Sequence, residues 1–113
     1  MIKIYHNPRC SKSRAGLAYL EEKGVEFEKI EYLKDEFSVE ELTEVIAKTG
    51  KKPFELIRTH EDLYKKEYKG KEFSDEQWIK IMVENPRLIH RPIIVKGDSA
   101  VWAQPPQEID KLL

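Results

Sequence analysis

Apolar positions recur every second residue at the start of the chain and every third or fourth soon after, so the hydrophobic pattern predicts a strand running into a helix. Ile2, Ile4 and His6 fall on one side of a short strand over residues 1–6, which the turn formers Asn7-Pro8 end. From Ser11 onward Leu17 and Leu20, with Ala18 beside them, take helical spacing among Arg14, Glu21, Glu22 and Lys23. Gly24 supplies the stop. Val25, Phe27, Ile30 and Tyr32 then read as a second strand, so residues 2–33 predict one strand, helix, strand unit with parallel pairing.

The middle of the chain reads as helices. Ser38-Val39-Glu40-Glu41 fits a capping box, in which serine and glutamate satisfy each other's free backbone donors, and Leu42, Val45 and Ile46 continue as an apolar stripe toward Gly50. Pro53 opens a short helix with Phe54, Leu56 and Ile57. A second box, Ser74-Asp75-Glu76-Gln77, starts a helix with Trp78, Ile81 and Met82 inward, ended by Asn85-Pro86. The mixed charges of residues 61–76 read as a solvated helical face. Beyond Arg91-Pro92, the runs Ile93–Val95 and Ala100–Trp102 flank a turn at Lys96–Ser99 and predict a hairpin. Pro105-Pro106 begin a last helix with Ile109, Leu112 and Leu113 apolar. This order predicts an α/β fold: a small mixed sheet flanked by helices, with a helical insertion at about residues 38–85 between the strand–helix–strand half and the C-terminal hairpin.

Composition narrows the partners. Leu, Ile, Val and Phe make up 30 of 113 residues, enough for a core in one domain spanning residues 1–113. Twenty Lys and Arg against 21 Asp and Glu leave a net charge of −1, so bulk charge offers no attraction to nucleic acid or an anionic membrane. No apolar run approaches a membrane span and the first residues lack a signal-peptide segment; the expectation is a cytoplasmic protein.

One cysteine cannot close an internal disulfide, so Cys10 is either a small buried hydrophobe or a reactive thiol. It follows a strand and opens a helix, where free N–H groups and the positive end of the helix dipole favour a thiolate. Arg9, Lys12 and Arg14 add local cations, and His6 lies just upstream. Position 13 is serine, which removes the two-cysteine redox motif, and Cys10 with Arg14 is too short for the phosphate loop of cysteine phosphatases. A sulfur adduct on Cys10 then needs an external thiol to resolve it. His6, His60 and His90 match no compact ligand spacing, so no metal is expected. Other roles stay open: Ser13 can cap the first helix, and Arg58 can pair with Glu55 or Glu61.

The segment Ile4–Arg14 resembles the active-site segment of the glutaredoxin-coupled arsenate reductases, the ArsC family with a thioredoxin-like fold. Glu55–Thr59 resembles that family's Leu-Leu-Arg segment, and Asn85–Val95 its Pro-x-Leu-Ile-x-Arg-Pro-Ile-x-Val segment. The resemblance implies a thioredoxin-like four-stranded mixed sheet. It implies Cys10 as nucleophile, Arg58 and Arg91 as holders of a small oxyanion, and His6 and Ser13 as supports of the thiolate. It also implies a cis proline after Arg91, glutathione as co-substrate, glutaredoxin or a similar external thiol as partner, and no bound cofactor. Planar guanidinium forks suit this work, because they meet tetrahedral oxyanions through paired hydrogen bonds and favour ionised sulfur.

One position departs from the pattern. Gln104 stands where the family's arsenate reductases carry a third arginine, and loss of a charged donor to an oxyanion weakens transition-state stabilisation by about 2–4 kcal/mol if nothing replaces it. Arg9, Arg14 and Arg87 are the candidate replacements. Two alternatives accompany the reductase: a thiol-responsive regulator of the Spx type that binds RNA polymerase, and a general glutathione-dependent thiol oxidoreductase.

Overall fold

The period-two alternation at the N-terminus becomes β1 (Ile2–His6), and the helical spacing after it becomes α1 (Ser11–Glu22) in a computed structural model that describes residues 1–113. The chain continues through β2 (Phe27–Glu31), α2 (Val39–Thr49), α3 (Asp62–Glu67), α4 (Asp75–Glu84), β3 (Ile93–Lys96) and β4 (Ser99–Trp102). Short 3-10 segments lie at Pro53–Leu56, Pro86–Leu88 and Pro106–Leu112. The strands form one mixed sheet in the order β2-β1-β3-β4. β1 runs parallel to β2 and antiparallel to β3, and β4 closes the hairpin. This is the expected mixed sheet of four strands, with helices filling the chain between β2 and β3.

Alternation divides the core between the two faces of the sheet. Ile2 and Ile4 of β1 and Ile94 of β3 pack with Leu20, Ile109 and Leu112 on the α1 side. Tyr5, Ile93 and Val95 point the other way, into the larger core built from α2, α4, Leu56, Ile57, Leu88 and Ile89. Both predicted capping boxes form, with Ser38 accepting from Glu41 N–H and Ser74 from Gln77 N–H. No helix is long and apolar enough to cross a membrane.

Three details differ from expectation. Lys96 and Ser99 pair in the ladder rather than turn, leaving Gly97 and Asp98 as a two-residue loop in which Gly97 takes a left-handed φ of 59°. The last helix is 3-10, whose three-residue repeat lines Ile109 up with Leu112 and leaves Leu113 exposed. In α1 Ala18 is exposed, and the buried positions are Ser13, Gly16 and Leu20. Gly16 is needed for a close approach: a Cβ there would stand 2.6 Å from Cγ of Pro92.

Candidate active site

Between β1 and α1 only residues 7–10 make the turn, and their polar groups bond locally. Asn7 Oδ1 accepts from Arg9 N–H at 3.0 Å, and Asn7 O accepts from Cys10 N–H at 3.0 Å. Ser13, fully buried, reaches back from α1: its Oγ accepts from Asn7 N–H at 2.9 Å and lies 2.7 Å from His6 Nδ1. Its side chain therefore ties the loop to β1 and does not cap α1. Cys10, half-buried, takes the N-cap position with an extended backbone.

Cys10 makes no cap hydrogen bond of ordinary length, yet several donors act on its sulfur. Burial is the largest single influence and pushes the thiol up; the N–H of Ser13, the Arg91 side chain, the N–H of Lys12 and the Arg91 charge together outweigh it and hold the thiol below its ordinary value. Burial, helped by Lys29, holds His6 below the usual imidazole range against the opposing pull of Glu31 and Ser13. His6 is thus a neutral ring that reaches the site through Ser13, not a cation beside the sulfur. His90, stacked on Trp102 at 3.9 Å, is pushed down to about 4 by burial and by the positive charges of Arg58, His60, Lys12 and Arg91.

Arg58 and Arg91 lie 33 positions apart in the chain, and a short backbone link joins their segments. Ile57 and Ile89 form an isolated antiparallel bridge, with Arg58 N–H donating to Leu88 O and His90 N–H to Leu56 O, both at 2.8 Å. The two guanidiniums then share one acceptor, the Arg87 carbonyl, at 3.4 Å from Arg58 Nη1 and 3.0 Å from Arg91 Nη1. Arg58 also pairs with Glu61 at 2.8 Å, one of the two carboxylates open to it in the sequence, and lies 3.0 Å from His60 Nε2. The Arg91–Pro92 bond is cis, as is Gln104–Pro105. A thiolate at this helix start can attack an electrophile while the paired guanidiniums hold its oxygens.

The remaining predicted residues take other places. Arg14 is exposed and spends Nη1 on Pro8 O at 3.0 Å, where it braces the loop. Gln104 is exposed, with its backbone N–H on Trp102 O. Arg87 is exposed and contributes its carbonyl to the site. His6, His60 and His90 join no group that could hold a metal ion. Sequence reasoning missed Tyr32, which is 1 % exposed and whose hydroxyl, like Arg91 Nε, is buried without a hydrogen-bond partner. Its position just past the end of β2, on the parallel pair β1–β2, was the available signal, since ligands gather beyond the carboxyl ends of parallel strands.

Known proteins are similar to this chain along nearly its whole length. The family model described as the ArsC family matches residues 5–112. An uncharacterized Escherichia coli protein, YfgD, is 41 % identical over 96 % of this chain and 92 % of its own length. An arsenate reductase of Haemophilus influenzae is 38 % identical over 97 % of each chain. The solved structure of an arsenate reductase from Vibrio cholerae superposes with a TM-score of 0.93 at 39 % identity, covering 99 % of this chain and 97 % of that one. A mixed sheet of thioredoxin-like topology, the family match over residues 5–112 and end-to-end similarity to these relatives agree: the chain belongs to the ArsC family.

Proposed function

We propose that the protein is a single-thiol arsenate reductase. The observation that carries the reading is a half-buried Cys10 at the N-cap of α1, its thiol held below the ordinary value by the N–H groups of Ser13 and Lys12 and by Arg91 against the opposing effect of burial, with Arg58 held beside Arg91 on the Arg87 carbonyl. In the reaction, Cys10 thiolate attacks As(V), forming an S–As bond as one arsenate oxygen leaves as water. Glutathione sulfur then attacks the Cys10 sulfur, forming a mixed disulfide as the S–As bond breaks and arsenic leaves as arsenite with the electron pair, and a glutaredoxin or similar thiol donor takes glutathione from that disulfide and frees Cys10. Overall, two thiols become one disulfide, arsenic gains two electrons, and two thiol protons leave with the departing oxygen as water. The chain's residues supply position and charge: guanidiniums pair with oxygens whose negative charge the reaction redistributes, and the helix start stabilises the sulfur anion. Such a cycle needs a reducing compartment, in keeping with a cytoplasmic site of action.

Ser13 favours this reading over the regulator. The position where a second switch cysteine belongs holds a hydroxyl buried against His6 and Asn7. The test is arsenate-dependent NADPH consumption in an assay coupled through glutathione, glutathione reductase and glutaredoxin. The expected result is turnover that Cys10→Ser abolishes and Arg58→Ala lowers; folded protein with no rate above background refutes arsenate as substrate.

A further inference from the structure

β4 is the last strand of the sheet, and no strand pairs with its outer side. Across the hairpin Ala103 N–H donates to Pro92 O at 3.0 Å, and bonding alternates along an antiparallel ladder, so Val101 and Ser99 turn their peptide groups toward β3. The N–H and C=O of Ala100 and the N–H of Trp102 therefore face outward, while Trp102 O accepts from Gln104 N–H at 2.9 Å. A cavity of about 340 Å³ runs along this edge and is lined by all four residues of β4. Lys48 and Lys51, at and just past the end of α2, form one wall, and Lys111 and Leu112 of the 3-10 segment Pro106–Leu112 form the other. α2 packs on the face that carries Ala100 and Trp102, and the 3-10 segment on the face that carries Val101, so the groove straddles the sheet edge between the two layers.

The walls of the groove are basic in a chain whose net charge is −1. Lys111 is paired with Glu108 at 2.8 Å, but Lys48 and Lys51 have no carboxylate partner. We propose that the outer edge of β4 is a docking site for an extended acidic segment of a partner protein, which joins the sheet as a fifth strand with its carboxylates beside Lys48 and Lys51. A strand fits where a lone anion does not, because it offers a donor to Ala100 O as well as acceptors for the two outward N–H groups. A second copy fits poorly: two-fold pairing of β4 with β4 brings the lysines of both copies together. Lysines at an exposed edge keep like chains apart, and the same charge draws in a strand of opposite sign.

The experiment follows backbone amide shifts and hydrogen exchange by NMR as a capped hexapeptide alternating glutamate and valine is added to the native protein. The expected result is saturable shifts and slowed exchange at the Ala100 and Trp102 amides, with little change in exchange at Ser99 and Val101, which are already bonded to β3. The double variant Lys48→Glu, Lys51→Glu should raise the half-saturating concentration about tenfold, since two attractions become repulsions, and a thermal melt checks that it is folded. Added sodium chloride should weaken binding to the native protein in the same direction. No slowing at these two amides with millimolar acidic peptide overturns the proposal. So does an equal response to the peptide with lysine in place of glutamate, which removes the role of charge, or with proline in place of valine, which removes backbone pairing. Protection of the same amides that grows with protein concentration alone puts a second copy on the edge and overturns it too.

Discussion

Gly16→Ala tests how the thiol is held against its cationic partner. The added Cβ would stand 2.6 Å from Cγ of Pro92, about 1 Å inside ordinary carbon–carbon contact. Pro92 is buried and its ring cannot swing aside, so α1 and the Arg91-Pro92 segment must separate by about that distance. Alanine contributes about 1 kcal/mol in helix propensity, while overpacking costs about 1–3 kcal/mol. The net is a loss of about 0–2 kcal/mol, or a Tm lowered by up to roughly 8 °C. Reactivity suffers more than stability. Cys10 rides at the start of α1 and Arg91 directly precedes Pro92, so the same displacement enters the spacing between sulfur and guanidinium. A misplacement of about 1 Å in an active site can lower turnover about 100-fold. Thermal melts, the Cys10 alkylation rate at neutral pH and the coupled arsenate assay measure these effects together. A Gly16→Ala protein that melts at or above the native temperature and keeps native alkylation and turnover refutes the packing argument.

Three other outcomes are expected. Arg91→Met keeps the side-chain stem and removes the charge; a hydrogen bond to a charged group contributes about 1.5 kcal/mol at its weaker end, fitting for a half-buried sulfur, so alkylation near neutral pH should slow about tenfold. Thiolate absorbance at 240 nm should move to higher pH in parallel, and an unchanged titration would remove Arg91 from the account. Because His90 is held neutral down to about 4, an unfolded chain takes up the proton first, so its stabilising contribution is present above about 6.5 and lost as pH falls toward 4. Discounted for partial exposure, that contribution is about 1–2 kcal/mol, and denaturant melts at pH 7.5 and 4.5 should show a steeper acid loss in native protein than in His90→Gln. Glu61→Gln releases Arg58 from a partly exposed ion pair worth about 0.2–1 kcal/mol, so KM for arsenate should fall up to about fivefold with kcat little changed; a rise in KM would mean that Glu61 orients Arg58 rather than occupying it.

The readable parts of the chain were those whose signal is local. The boxes at Ser38 and Ser74 lie within four residues, and the alternation of Ile2, Ile4 and Tyr5 needs only its neighbours to assign faces. Cys10 was legible as a reactive-thiol candidate because strand, turn and helix start adjoin it in sequence, and the Arg58–Glu61 pair because it is three residues apart. What escaped was set by distant partners. Gly16 carries no signal in its own neighbourhood, because the partner that requires it, Pro92, lies 76 positions later. Ser13 read either as a cap of the first helix or as a support of the thiolate; two partners from β1 and its loop claim its oxygen, which leaves it no capping role. Tyr32 read only as strand, since nothing around it in the sequence announces that its hydroxyl ends beside Arg91.

The bridge between Ile57 and Ile89 means that peptide groups, not side chains, gauge the gap between the two guanidiniums. Ordinary substitutions leave those atoms in place, so the sequences of α2, α3 and α4 are free to drift while the gauge stays constant. The rail of main chain from Leu56 to Arg58 and from Leu88 to Arg91 is accordingly the portable unit of this fold, and a designer grafting the pair of guanidiniums elsewhere must carry it whole.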